Sequence, residues 1–321
     1  AKAIKYSKEY IELFDELNIT IYDCILKMNL GLYLVFVGNF EDAKESFNNA
    51  IDISKKMNDI GSLGMCHRGL GLIYLDQGKW SIAQKEFKKA NNFHKKAEHT
   101  TAFEATTVFL GMTYFFEEKY DKAKKLIDKA VMLTQRRRDV SFYDTSARSA
   151  KILLSSKLNE IKDNEIDEFC DLLIESSKVK QINRELYYAS QSYLNLGNQD
   201  KADKYQKMCR EGLLKDSKKI SDEELRNGYL SKSLHINMLN ETAVPFMQSN
   251  KENFIEDSSD NKNNGLLSKV EINISDTENL SEYCYQLTQN EYYNFCPNCC
   301  FDNTKHDFKF CPDCGFSLQR K

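Results

Sequence analysis

The sequence predicts an all-α solenoid of stacked helix pairs followed by a small cysteine-rich module, and three observations predict it. Small and large residues recur every forty positions. Only three prolines occur in 321 residues, two of them in the last thirty. Four of the ten cysteines form two C-x-x-C pairs near the end. The repeat is the strongest of the three. Gly31, Gly71 and Gly111 are each preceded by leucine (Leu30, Leu70, Leu110) and followed at nine residues by an aromatic (Phe40, Trp80, Tyr120). Alanines fall at twelve residues (Ala43, Ala83, Ala123) and again seven further on (Ala50, Ala90, Ala130). Self-similarity of this length marks a repeat architecture, in which each unit buries its apolar face only against its neighbours.

Each element follows from this frame. The glycine and first alanine let two antiparallel helices approach closely, while leucines and aromatics fill the space between pairs. In the second frame the first helix is expected from Gly64 to Gln77, with a turn at Gly78, and the second from Ser81 to Lys96. Gly38 holds the same turn position in the first frame, where a positive φ caps the outgoing helix. Glu118 replaces it in the third, so that turn is expected to close differently. The scarcity of proline lets long helices run unbroken.

These residues resemble the tetratricopeptide repeat. Leu70, Gly71, Tyr74, Gly78, Trp80, Ala83, Phe87 and Ala90 match its pattern. The first frame supplies Leu30, Gly31, Gly38, Phe40, Ala43, Phe47 and Ala50, with Leu34 in place of the Tyr. The third supplies Leu110, Gly111, Tyr114, Tyr120, Ala123 and Ala130, with Ile127 in place of the Phe. The family period is usually thirty-four residues, so forty implies longer helices, similar to those of kinesin light chains and of large multidomain signalling ATPases. The resemblance implies a tetratricopeptide-like α-solenoid over residues 1–235.

The frame continues beyond the three clear repeats. Tyr193, Leu196, Gly197 and Ala202 mark a further pair from Arg184 to Leu214. Ser146–Lys157 and Glu165–Ser177 read as a degenerate pair. Ala3, Ser7 and Tyr10 fall where the second helix of a preceding repeat belongs, so the chain reads as starting in mid-repeat, with a capping helix as the alternative. The segment Ile220-Ser221-Asp222-Glu223-Glu224-Leu225-Arg226-Asn227-Gly228-Tyr229-Leu230 looks like a stretch that closes the repeat region in large bacterial AAA- or STAND-type signalling ATPases. That resemblance implies a regulatory C-terminal segment of such a protein, with cyclase or kinase chemistry elsewhere.

Residues 236–290 change character. Residues 245 to 282 hold three lysines and eight acids, a composition too polar to offset the entropy of ordering, so an acidic, largely disordered linker is expected. Net charge is −3, which gives no global basic field for nucleic acid. No apolar run approaches the twenty residues of a membrane span, and no signal peptide opens the chain, so a cytoplasmic location is expected.

The last module, residues 291–321, carries Cys296-Pro297-Asn298-Cys299 and Cys311-Pro312-Asp313-Cys314-Gly315. Four thiolates in two C-x-x-C pairs can close tetrahedrally on one structural Zn²⁺, with Cys296, Cys299, Cys311 and Cys314 as ligands. A reducing compartment favours metal over disulfides, and four thiolates leave no open position for catalysis. The segment looks like a zinc ribbon of two β-hairpin knuckles, with Cys300 where glycine is usual. From Glu291 to Lys321, four acids balance four bases, so an adaptor whose ribbon touches nucleic acid is a minority alternative. The triplet Arg136-Arg137-Arg138 reads as a solvated helix end.

No phosphate-binding Gly-rich loop, G-x-S-x-G or H-E-x-x-H appears, so the chain reads as a non-enzyme. In the repeat frame, Val35, Phe36, Arg68, Leu72, Leu75, Met112, Phe115 and Phe116 project to the concave face. An apolar groove of that kind suits a partner protein: an amphipathic helix or an apolar peptide. Cover by neighbouring helices or by the chain's own linker is the equal alternative. The function expected is a protein-interaction scaffold or sensor arm.

Overall fold

The computed structural model describes residues 2–16, 22–135, 142–176 and 182–245. The chain divides into two compact units, Ala1–Phe254 and Ile255–Lys321, and the described residues all lie in the first. The four cysteines of the expected ribbon, Arg136–Arg138 and most of the expected linker lie outside the described residues.

Among the described residues every regular element is an α-helix. Helix α1 (Lys2–Glu16) packs on α2 (Asp23–Phe36) and presents Ile4 and Ser7 to the interior. Antiparallel pairs follow: α2 with α3 (Phe40–Met57), α4 (Ile60–Asp76) with α5 (Trp80–Lys96), and α6 (Thr100–Phe116) with α7 (Tyr120–Gln135). After α8 (Phe142–Lys157) and α9 (Asp163–Ser176) comes the pair α10 (Asn183–Asn195) and α11 (Gln199–Ser217). The first helices touch in succession, α2 to α4, α6, α8 and α10, as in a solenoid.

The forty-residue frame is a packing rule. A methyl group on Gly31 would sit 2.7 Å from the Phe47 ring, and one on Gly71 2.5 Å from the Phe87 ring. At Gly111 the same atom would meet Ile127 at 2.7 Å. The Phe47 ring also lies against Gly69 of the next pair. The six frame alanines and Phe47, Phe87 and Ile127 are fully buried. Burying one such ring or branched chain stabilises by about 1.5–3 kcal/mol.

The turns within pairs share one geometry. Gly38, Gly78 and Gly197 adopt φ of 78°, 67° and 79°. Each donates its N–H three residues back, and the next residue donates five residues back, which satisfies the last helical carbonyls. Glu118 does the same at φ 60°, bonding Phe115 at 3.0 Å while Lys119 bonds Tyr114 at 2.9 Å. The different closure expected there does not occur. The flanking helices impose the left-handed conformation, at a cost of about 1–2 kcal/mol for a residue with a β-carbon.

The later pairs modify the rule. In α9, Ile166, Cys170 and Leu173 repeat the spacing of Ala43, Phe47 and Ala50 with large and small exchanged, all fully buried. In α11, Ala202 and Cys209 keep the alanine positions, but Gln206 stands where Phe47 does. Burial pushes the thiols of Cys170 and Cys209 up to about 11 and 12, and raises those of Cys24 and Cys66. These four are inert small core residues.

Two short helices, α12 (Glu223–Leu230) and α13 (Ser233–Met238), close the described fold. Asp222 caps α12 by accepting the Leu225 N–H at 2.9 Å. This strap runs from the first repeats to the last. Gly228 lies against Val37 and Gly38, and the Tyr229 ring rests on Phe36 with centroids 5.2 Å apart. Ser233 donates its N–H to Asp76 Oδ2 at 3.3 Å and its hydroxyl to the Asp76 carbonyl. At the other end, Gln206 Nε2 donates to the carbonyls of Asn237, Met238 and Asn240 at 3.0–3.2 Å. Arg210 reaches Leu239, and Gln191 reaches Val244. Ala243 donates its N–H to Asp203 at 2.7 Å.

The contact between strap and first turn yields a paired expectation. A β-carbon on Gly38 would lie 2.2 Å from the Gly228 carbonyl oxygen, whereas one on Gly197 meets nothing within 4 Å. Gly38→Ala is expected to destabilise by about 3 kcal/mol and Gly197→Ala by about 1 kcal/mol, since only the former adds overpacking to backbone strain. Urea denaturation of the two variants measures the difference; equal losses would show that the strap does not press on that turn.

One buried and one half-buried histidine set an acid limit. His94 packs face-on over Gly64 with neither ring nitrogen partnered among the described residues. Burial, then Arg68 and His99, pull it down to about 3. His235 hydrogen-bonds the Tyr229 carbonyl at 2.6 Å, and burial followed by Lys232 pulls it down to about 4. Both folded values lie below the unfolded value, so their stability contribution is complete above pH 6.5 and is lost as pH falls towards those folded values. Between pH 7 and pH 5 each is expected to remove about 2 kcal/mol. Denaturant titration at the two pH values checks this, and His94→Leu should abolish about half of the loss.

Candidate functional site

The strap lies across the concave face of the coil and leaves a half-open lumen there. A cavity of about 360 Å³ lies inside it. Helices α2, α4 and α6 supply the apolar wall, because each presents the residues that follow its frame glycine inward. Val35, Phe36, Leu72, Leu75, Met112 and Phe116 line it, joined by Leu32, Val108 and Phe109. Of the eight residues expected on this face, those six are brought together. Arg68 and Phe115 are placed elsewhere. The Arg68 Nε is buried beside His94 without a partner among the described residues, and Phe115 packs between Phe116 and Tyr120 at 5.6 and 5.8 Å.

The opposite wall is more polar, and the concave-face reading did not include it. Ser146 of α8, Arg184 and Tyr188 of α10, and Lys232, Ser233, Leu234 and Asn237 of the strap line this side. The Arg184 guanidinium donates to Ser146 Oγ at 2.6 Å and to Glu185 Oε1 at 2.7 Å, and lies over the Phe109 ring at 5.8 Å. Burial works against its charge, but Glu185 outweighs that and holds it protonated. Burial pushes Tyr188 up to about 12, so it stays a neutral hydroxyl.

Lys232 and Asp76 face one another across the strap contact without closing to an ion pair among the described residues. Burial lowers the ammonium, and the Asp76 charge opposes that. Burial likewise raises the Asp76 carboxyl, against Lys232 and the Ser233 N–H. The Asn237 side chain donates to the Ser233 carbonyl at 3.0 Å, while its Oδ1 is buried without a partner among the described residues. A sequence signal that could have found it is Gln206, a polar hook at the position held by Phe47, Phe87 and Ile127 in the three clear repeats.

Among the described residues, no group of three or more His, Cys, Asp or Glu side chains could hold a metal ion. Nor is any described helix long and apolar enough to cross a membrane.

A family model described as tetratricopeptide repeat matches residues 26–57 and 108–136, which are the first and third frames. No curated protein matches the chain in sequence. Among solved structures, the apo form of RapI superposes with a TM-score of 0.55 at 17% identity, over 67% of this chain and 77% of that one. A Podosopora anserina putative kinesin light chain with nearly identical TPR-like repeats gives 0.41 at 14% identity, over 60% and 95% of the two chains. YrrB, a TPR protein with an unusual peptide-binding site, gives 0.33 at 17%, over 67% and 94%. The packing frame, the family match over the first and third frames and the RapI fold agree on one architecture: the described helix pairs stack as a tetratricopeptide-like α-solenoid.

Proposed function

We propose that this chain is a protein-interaction scaffold whose lumen takes a short apolar segment of a partner peptide. The observation that carries this reading is the cavity of about 360 Å³ walled by the first helices of the three clear repeats. Its size lies within the range of small-ligand pockets, about 300–1,000 Å³. A whole amphipathic helix, about 10–12 Å across with its side chains, needs more room than that. An extended segment that inserts two or three apolar side chains fits. Two polar contacts on the wall, Ser146 with Arg184 and Ser233 with Asp76, fix helices to one another, which favours a binding module over a catalyst. The expected setting is the cytoplasm.

Fluorescein-labelled hexapeptides with Leu, Phe or Met at alternating positions provide the test. Anisotropy titration is expected to find binders, and Leu72→Lys should weaken them at least about tenfold, because a charge enters the apolar wall. Leu72 is half-buried, so the variant should melt close to the parent. Binding that survives Leu72→Lys would place the peptide outside the lumen.

The reading includes a structural zinc at Cys296, Cys299, Cys311 and Cys314, supported by their spacing. A segment this short has little core, and bound metal would supply its folding free energy, on the order of 10–16 kcal/mol in zinc-finger peptides. Elemental analysis of the purified chain should find about one zinc per molecule, held by four thiolates. Cys311→Ser should release it, and a chain purified without zinc that is indifferent to chelator would end this assignment.

A further inference from the structure

Resting on the peptide reading above, we infer that the lumen selects an acidic peptide: a short apolar segment carrying one carboxylate that pairs with Lys232. Three features of the strap-side wall point to it. Lys232 lines the cavity, and among the described residues no hydrogen bond or ion pair engages its ammonium. Its stem is held in place, with Cγ 3.2 Å from where a Gly38 β-carbon would stand. A cation in this position, half-buried among Phe, Leu and Met side chains, attracts a carboxylate much more strongly than it would in water, because the effective dielectric is low.

Asn237 supplies the second feature. It is 3% exposed and lines the same cavity, yet its Oδ1 accepts nothing among the described residues. A buried acceptor left empty costs about 1–3 kcal/mol, which an entering N–H donor relieves. The cavity wall therefore presents, among the described residues, one ammonium without an ion pair and one amide oxygen without a donor, five residues apart on the strap. A peptide brings a carboxylate and an N–H donor, whereas a fatty acid brings only the carboxylate.

The third feature is the state of the other charges. Arg184 already donates to Ser146 and Glu185, so its charge is matched within the wall. The Asp76 carboxylate accepts the Ser233 N–H and attracts Lys232 without forming an ion pair with it among the described residues. Burial works against both the ammonium and this carboxylate. Lys232 is thus the cation that an incoming carboxylate meets.

The test uses the full chain and three probes: acetyl-Phe-Leu-Asp-amide, its Asn isostere and its Lys counterpart, measured by calorimetry, with dodecanoate as a fourth ligand. The Asp peptide is expected to bind at least tenfold more tightly than the Asn peptide, and the Lys peptide most weakly. In Lys232→Met the Asp and Asn peptides should bind equally, and Lys232→Arg should restore the preference. Equal binding of Asp and Asn peptides to the parent chain would overturn the inference while leaving the peptide reading intact. Binding of dodecanoate with none of the peptides would overturn both and assign the lumen to an amphiphilic acid. A Lys232→Met chain that retains the full Asp preference would overturn the role of this residue, and its unchanged melting temperature would show that the variant is folded.

Discussion

Everything in this fold hangs on the contact between a glycine of one helix and a ring or branched side chain of the next. Gly31 under Phe47, Gly71 under Phe87 and Gly111 under Ile127 set the distance between paired helices. A β-carbon at any of these would meet a fully buried side chain at under 3 Å. Close-packed interiors do not absorb such overlap without shifting whole helices. Phe47 also lies against Gly69, so one ring fixes both the pair and its stacking on the next. The coil's pitch, and with it the position of the concave wall, follows from that spacing.

Where the contact changes, so does the job of the helix. In α11, Gln206 takes the place of the ring and turns its amide to three backbone carbonyls of the strap. An aromatic there would need another apolar helix face to cover it. An amide needs acceptors, and the end of α13 offers them. The solenoid therefore ends by catching its own chain, and the strap returns to Gly38 and Asp76 in the first two pairs. The open groove is narrowed to a half-open cavity by hydrogen bonds to carbonyls at one end of the strap and by the Tyr229–Phe36 contact at the other.

That difference explains what the sequence discloses. The repeat pairs were legible because small and large side chains carry the packing, and side-chain size is written directly in residue type. The first-helix residues Val35, Phe36, Leu72, Leu75, Met112 and Phe116 were legible as an inward face for the same reason. Arg68 and Phe115 share the helical period but lie to the side, where the neighbouring second helix covers them. The strap's docking was not legible, since it rests on main-chain carbonyls at Asn237, Met238, Leu239 and Asn240, which every residue possesses. Nor was the far wall: Arg184 and Lys232 are joined to Phe36 only through closure of the ring. Glu118 shows the converse, a residue with no left-handed preference placed at φ 60° because the helices on each side require it.

Closure also couples the site to the fold. Lys232, Ser233 and Asn237 are at once part of the lumen wall and part of the strap that lies across it. Any molecule that binds these groups binds the closed ring in preference to a ring whose strap has come away. By linkage it stabilises closure by RT ln(1 + [L]/Kd), about 2.7 kcal/mol at a hundredfold excess over Kd. The relation is reciprocal, so whatever loosens the strap weakens the ligand by the same factor. Protonation of His235 is one such influence, because the ring sits edge-on to Tyr229 at 4.4 Å and Tyr229 anchors the strap on Phe36. A solenoid with an open groove has no such coupling: its wall is present whether or not a partner is bound. Here part of the wall belongs to the strap, so a ligand held by Lys232 or Asn237 is coupled to the docking of the strap.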